Sequence, residues 1–154
     1  MPDDTPSDRL VLDAMLGKLA TYLRMCGYDT AYALDRDAEA DDDLLAIAER
    51  EDRLVITRDS DLAARAAESV LLTEREVDDQ LRELADAGFQ LSLASEPGYC
   101  GVCNGLVEEV DPVEPTPEYA PSASDERVWR CTDCGQHFWK GSHWASIKST
   151  LEDL

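Results

Sequence analysis

The chain has 154 residues, of which 44% are hydrophobic, so it can form one ordinary domain or a domain of about 100 residues with a small appendage. Acidic residues outnumber basic residues 34 to 14, and the formal net charge at pH 7 is −20. No apolar run approaches the ~20 residues that a membrane-spanning helix needs, and residues 1–7 lack the apolar stretch of a secretory signal, so we expect a soluble, cytoplasmic protein.

The first 95 residues alternate between strand-like and helical patterns. Short apolar runs predict strands at residues 9–12, 29–34, 53–57, 69–73 and 89–93. Apolar residues at helical spacing predict helices over residues 14–25, from residue 41, over residues 60–67, and from residue 77 to about residue 88. The alternation predicts an α/β fold in which helices flank a parallel sheet and the carboxyl ends of all strands share one edge.

The pattern changes near residue 96, where a Glu-Pro-Gly sequence predicts a turn. We therefore expect a first domain over residues 1–95 and a smaller second domain over residues 96–154. Residues 110–125 contain four prolines and are predicted to form an irregular insertion. Strand-like residues at 128–130 and 136–139 follow this insertion.

Four of the five cysteines form two Cys-x-x-Cys pairs, Cys100 with Cys103 and Cys131 with Cys134. Two thiolates reach one ion from a tight turn, and a second such turn completes a tetrahedron. In a cytoplasmic protein this spacing predicts a structural Zn²⁺ site rather than a set of disulfides or a redox pair. Cys26 stands alone in an apolar helical stretch, and we expect it to be buried as a small hydrophobic residue.

Aspartates follow the most apolar runs of the first domain. Asp13 comes directly after the first predicted strand, and Asp59 and Asp61 follow the third. Residues 41–43 are three further aspartates that open a predicted helix, and we expect at least one of them to cap it. Carboxylates gathered at one sheet edge repel each other unless a cation offsets their charge, and oxygen ligands suit Mg²⁺ or Mn²⁺. The pattern therefore predicts a metal site that activates water for attack on phosphorus.

The excess of acidic residues indicates the salt concentration around the protein and says little about the charge of its ligand. Only three residues are lysines: Lys18, Lys140 and Lys148. In dilute salt such a surface repels nucleic acid, but at molar salt the Debye length falls to about 3 Å and the repulsion is largely screened. We interpret the composition as an adaptation to a salt-rich, halophile-type cytoplasm, with an acidic interaction domain as the alternative.

Several short motifs along the chain resemble those of one known family. Residues 12–20 read LDAMLGKLA, residues 23–29 read LRMCGYD, and residues 53–59 read RLVITRD. The cysteine pairs lie within CGVCN and CTDCG, and the sequence WKGSH follows the second pair. Across residues 9–145 the combination resembles the Mut-seven C-terminal RNase family, which has a PIN-like nuclease fold and ends in a zinc ribbon.

The resemblance implies a PIN-like parallel sheet flanked by helices, followed by a small zinc ribbon with four cysteine ligands. It matches Asp13, Asp59 and Asp61 to the first, third and fourth metal-binding acids. The second acid falls within residues 41–43, where Asp41 is favoured and Asp42 is the alternative. The implied catalytic residues are Asp13, Asp41, Asp42, Asp59 and Asp61. The implied ligands of Mg²⁺ or Mn²⁺ are Asp13, Asp41, Asp59 and Asp61, and those of Zn²⁺ are Cys100, Cys103, Cys131 and Cys134.

The function implied by the resemblance is metal-dependent hydrolysis of RNA, which we expect to be endonucleolytic. Arg24 and Arg58 are candidates for binding the phosphates of the RNA, although pairing with nearby carboxylates is an equal alternative. The competing hypothesis is a non-catalytic adaptor that binds RNA or the ribosome through the zinc ribbon. Both a monomer and a dimer are compatible with the sequence.

Overall fold

The secondary structure of the first 95 residues largely follows the predicted alternation. The computed structural model describes residues 8–154. The strands of this region are β1 (Arg9–Leu12), β2 (Asp29–Tyr32), β3 (Leu54–Thr57) and β4 (Ser69–Leu71). The helices are α1 (Gly17–Met25), α2 (Asp41–Glu51), α3 (Ser60–Arg65) and α4 (Val77–Asp86). Short 3₁₀ helices precede α1, at Ala14–Leu16, and follow β2, at Ala33–Arg36.

The four strands form one parallel sheet in the order β2-β1-β3-β4, with helices on both faces. Alternate residues of β1 point to opposite faces. Leu10 and Leu12 pack with α1 and α4, whereas Val11 packs with α2 and α3. All three side chains are fully buried, which is typical of a central strand in a parallel sheet covered on both sides. The predicted α/β fold class is therefore confirmed.

The parallel arrangement determines where polar side chains can meet. All four strands end at the same edge of the sheet, and the helix that follows each strand begins at that edge. The amino ends of α2 and α3 therefore lie beside the carboxyl ends of β1 and β3.

The second half of the chain forms an antiparallel sheet, which we call the ribbon. Its strands are β5 (Val107–Glu109), β6 (Trp129–Cys131) and β7 (His137–Phe138), in the order β5-β6-β7. The proline-rich segment between β5 and β6 contains no helix or strand, as predicted. It closes on itself through a small core of Val110, Ala123 and Val128.

A final helix, α5 (Ser142–Glu152), was not predicted from the sequence. Its buried side chains, Ile147 and Leu151, belong to the same hydrophobic cluster as Leu10, Leu12 and the buried face of α1. The chain thus returns to the core of the first sheet after it has formed the ribbon. Ile147 and Leu151 are the only buried apolar positions of the helix, and two positions are too few to predict a helix from the sequence.

The predicted fifth strand at residues 89–93 is wrong. Within residues 8–154 this segment pairs with no strand, and its apolar side chains pack against the helical face of the first core instead. The Tyr28 hydroxyl takes the place of a strand partner, because it accepts from the N–H of Gln90 (2.9 Å) and lies 3.3 Å from the carbonyl oxygen of the same residue. The Phe89 ring lies beside the Tyr28 ring, 5.5 Å between centroids.

In the part of the chain that the structure describes, no helix has both the length and the apolar character needed to cross a bilayer.

We predict that α5 contributes to the stability of the whole fold. Ile147→Ala is expected to lower the free energy of unfolding by about 2–4 kcal/mol, because it leaves a cavity in the first core. Ser149→Ala, on the exposed face of the same helix, is expected to change it by less than about 0.5 kcal/mol. Urea unfolding in molar KCl measures both, and an Ile147→Ala protein as stable as the parent would show that α5 packs independently.

Candidate functional site

The first part of the site is the acidic edge, where β1 and β3 end side by side. Asp13 follows β1 directly, and its N–H donates to the carbonyl of Ile56 (3.2 Å), which extends the pairing of the two strands. The buried hydroxyl of Thr57 donates to Oδ2 of Asp13 (2.8 Å) and accepts from the N–H of Asp59 (3.0 Å). One side chain therefore fixes both acidic positions relative to each other.

The carboxylates of Asp13 and Asp59 are oriented by the backbone. Oδ1 of Asp13 accepts from the N–H of Ala14 (2.7 Å) and caps the 3₁₀ turn. Oδ1 of Asp59 accepts from the N–H groups of Asp61 (2.9 Å) and Leu62 (3.3 Å), so Asp59 is the N-cap of α3. Among residues 8–154, no hydrogen bond is made to Oδ2 of Asp59. Both aspartates thus present an oriented carboxylate at the acidic edge.

The three aspartates that open α2 occupy its first turn, and the expectation that one of them caps the helix is wrong. The N-cap is Ala40, which has no side chain to accept a hydrogen bond. Carboxylates in a first turn still interact favourably with the helix dipole. Asp41 is half-buried, whereas Asp42 and Asp43 are exposed. Asp42 is also engaged by a charged hydrogen bond from Arg65 of α3.

The aspartates lie at the same edge of the sheet, but within residues 8–154 no three of their carboxylates converge to within 4.8 Å of one another. Among residues 8–154, the four cysteines are the only group of three or more His, Cys, Asp or Glu side chains whose ligand atoms all lie within 4.8 Å of one another. The structure thus brings Asp13 and Asp59 together through Thr57. Asp41 and Asp61 lie in the first turns of α2 and α3 at the same edge, and the Asp61 side chain is exposed.

The two arginines that were candidates for phosphate binding differ in their surroundings. Arg24 is 3% exposed, and its Nε donates to the carbonyl of Thr30 (2.9 Å) while Nη1 donates to the carbonyl of Gly101 (3.1 Å). Its Nη2 lies 3.7 Å from the Asp35 carboxylate. Burial lowers the pKa of Arg24, and the neighbouring Asp35 partly restores it. By contrast, the Nε of Arg58 is buried and has no hydrogen-bond partner among residues 8–154.

The four cysteines can hold a metal ion such as Zn²⁺. The Sγ atoms of Cys100 and Cys134 are 3.7 Å apart, and those of Cys103 and Cys131 are 3.5 Å apart. Tetrahedral Zn–S bonds of about 2.3 Å place sulfur atoms about 3.8 Å from one another, so the spacing fits this ion. The fold brings the sulfur atoms of the four predicted cysteine ligands to within 4.8 Å of one another, as expected.

Backbone N–H groups support the sulfur atoms. Val102 and Gly105 donate to the Sγ atoms of Cys100 and Cys103, both at 3.4 Å. Burial raises the pKa of Cys131, but N–H groups of the second cysteine turn donate to its sulfur, and the net effect lowers the pKa to about 7. Gly105 is sterically required, because an added Cβ would lie 2.8 Å from the Sγ of Cys131.

The first cysteine turn, residues 100–105, binds directly to the edge of the parallel sheet. Asn104 has a left-handed backbone (φ 70°), and its Oδ1 accepts from the N–H of Thr30 in β2 (2.9 Å). Its Nδ2 donates to the Asp29 carboxylate (2.7 Å). Since β2 is an edge strand, the Asn104 amide occupies the place of a further strand's peptide group. The motif CGVCN contains Asn104 but does not reveal its role, because its partners lie 74 and 75 residues away.

Comparisons with known proteins agree with the motif pattern. A family model described as the Mut7-C RNAse domain matches residues 8–151, nearly the whole chain. No curated protein and no solved structure gives a significant match.

We predict that Asn104 links the metal site to the sheet. Asn104→Gly keeps the left-handed backbone without strain but leaves the N–H of Thr30 and the Asp29 carboxylate without the amide. The free energy of unfolding is expected to fall by about 1–3 kcal/mol while the bound metal per chain is unchanged. Val102→Ser, an exposed position in the same turn, is the control and is expected to have little effect. Urea unfolding together with metal analysis tests this, and equal stability of the Asn104→Gly and parent proteins would contradict it.

Proposed function

We propose that this chain, which belongs to the Mut7-C RNAse domain family, is a Mg²⁺- or Mn²⁺-dependent ribonuclease that cleaves RNA endonucleolytically at the acidic edge. The observation that carries the proposal is the hydroxyl of Thr57, which holds Asp13 and Asp59 in a fixed relation at the end of two adjacent strands. Capping engages only Oδ1 of each carboxylate, so Oδ2 of Asp59, which accepts no hydrogen bond within residues 8–154, stays available at the edge where parallel sheets bind ligands.

The proposed ligands of the catalytic ion are Asp13, Asp41, Asp59 and Asp61. Asp41 is preferred to Asp42 as the second acid because it is half-buried, whereas Asp42 is exposed and engaged by Arg65. Because Mg²⁺ retains several waters and takes one or two carboxylates directly, the other acids of the set would bind through those waters. When bound, such an ion would activate a water and offset the negative charge that develops on the phosphate.

The remaining residues of the site have positioning and binding roles. Thr57 orients the Asp13 carboxylate, and the N–H groups of α3 orient Asp59. Arg58 directly precedes Asp59, and its half-buried side chain would bind a phosphate oxygen of the substrate. Arg24 is assigned to fold stability instead, because its donors are directed at backbone carbonyls. The four cysteines would hold a structural Zn²⁺, since four thiolates leave no open coordination position.

A second candidate function is a non-catalytic adaptor that binds RNA or the ribosome. One observation favours it: the acidic side chains of residues 8–154 do not converge within 4.8 Å in groups of three or more. An adaptor would retain RNA without turnover and would not need Asp13.

Cleavage of labelled single-stranded RNA with Mn²⁺ in molar KCl tests the proposal. Asp13→Asn and Asp59→Asn each remove a charged ligand with little change in shape, and we expect each to lower the cleavage rate by on the order of 100-fold or more. Asp43→Asn is the matched control, because Asp43 is an exposed aspartate of the same acidic region, and its rate should stay within about twofold. Equal cleavage by the Asp13→Asn and parent proteins would refute the assignment.

The same assay identifies the second acid. We expect Asp41→Asn to lower the rate by at least about tenfold, whereas Asp42→Asn removes only an exposed partner of Arg65 and should leave the rate nearly unchanged. The opposite ranking of the two variants would move the metal ligand to Asp42.

A further inference from the structure

A cavity of about 530 Å³ lies between the first domain and the ribbon. On the first domain its wall includes Gly17 and Arg24 of α1 and Tyr32 at the end of β2. On the other side the wall is formed by the first cysteine turn, by β7 and by the start of α5. Its volume lies within the range of ordinary small-ligand sites.

The ribbon side of the cavity is mainly aromatic. Tyr99, Phe138, Trp139 and Trp144 contribute to the lining, and Trp139 and Trp144 are only half-buried. Such walls suit a flat, uncharged ring. Arg24 and Asp35 are charged residues of the lining, and they pair with each other. The cavity therefore offers no excess of positive charge that would favour a phosphate over a neutral heterocycle.

His137 is one of the residues that line the cavity. Its Nδ1 and Nε2 atoms are both buried, and neither has a hydrogen-bond partner among residues 8–154. Buried polar atoms are nearly always paired, and leaving one unpaired is costly. One nitrogen of a neutral imidazole donates and the other accepts. The two nitrogens point away from each other and are shielded from solvent, so a bound ring would meet one of them after the imidazole turns toward it.

The cavity lies next to the acidic edge. The hydroxyl of Tyr32 donates to the carbonyl of Ala14 (2.6 Å), the residue that follows Asp13. Burial raises the pKa of Tyr32, and Asp35 and Asp13 raise it further, which agrees with this proximity. Tyr32, which lines the cavity, lies opposite Leu12, the residue before Asp13, on a neighbouring strand about 4.8 Å away, so the cavity adjoins the acidic edge.

We propose that this cavity binds one unpaired nucleobase of the RNA, stacked on Trp144 and Trp139 and hydrogen-bonded by His137, next to the phosphate at the acidic edge. The proposal rests on RNA being the substrate. It explains the aromatic lining, the unpaired imidazole and the position of the cavity together. Proteins that read single-stranded RNA use this combination of stacking and edge contacts. A double-stranded RNA, whose bases are already stacked, would not enter.

The test measures the binding of fluorescein-labelled single-stranded RNA in molar KCl without divalent ions, so that no cleavage intervenes. Trp144→Ala is expected to raise Kd about tenfold or more, because it removes a stacking surface. His137→Phe keeps an aromatic ring of similar size and removes only the nitrogens, and we expect Kd to rise about fivefold. Leu106→Ala, an exposed apolar residue of the ribbon that does not line the cavity, is the control and should bind as the parent does.

A second series replaces single nucleotides of the RNA by abasic sites. One abasic position is expected to weaken binding to the parent protein but not to Trp144→Ala, because both changes remove the same stacking contact. If the Trp144→Ala protein loses its bound metal or unfolds, the affinity of the His137→Phe protein for RNA decides whether the cavity binds a base.

Two negative outcomes have different meanings. If the parent protein binds no RNA, the proposed function fails. If the parent binds RNA and both variants bind it equally well with no sensitive abasic position, only the base pocket is refuted.

Discussion

The guanidinium of Arg24 and the amide of Asn104 join the parallel sheet to the first cysteine turn, and the rest of the structure depends on this junction. An edge strand of a sheet exposes N–H and C=O groups that need partners. In β2 the N–H of Thr30 is satisfied by Asn104 of the first cysteine turn, and its carbonyl by Arg24, which also binds the carbonyl of Gly101. The first cysteine turn also carries two of the four cysteines whose sulfur atoms lie within 4.8 Å of one another. A metal ion held by these cysteines would therefore stabilise the same turn that completes the edge of the parallel sheet.

The parallel sheet and the ribbon contribute different parts of the proposed site. The acidic edge is built by the first sheet alone, since the hydroxyl of Thr57 and the backbone of α3 orient its carboxylates. The aromatic cavity exists only because the ribbon and α5 lie against α1 and β2. In the function proposed here, the sheet supplies the hydrolytic groups and the ribbon supplies contacts to the RNA strand. With a net charge of −20, such local contacts must outweigh the general repulsion between the protein and RNA.

The sequence predicted the features that depend on local spacing. The continuous apolar runs of β1 and β3, the position of Asp13 after β1, and the two cysteine turns are all encoded within a few residues. The features that it missed depend on distant partners. For Arg24 the sequence leaves phosphate binding and pairing with carboxylates open, and it does not reveal the hydrogen bond to Gly101, because that residue lies 77 residues away. Residues 89–93 have a strand-like composition, but Tyr28 occupies their backbone groups. The orientation of the acidic side chains depends on side-chain geometry that a sequence pattern does not encode.

Anomalous diffraction from crystals grown with Mn²⁺ in high salt tests the central claim most directly. Data recorded at the manganese and zinc absorption edges distinguish the two kinds of site. We expect zinc within the four cysteines and manganese bonded to Asp13 and to at least one of Asp59 and Asp41. A zinc peak in the ribbon with no manganese at the acidic edge would contradict it.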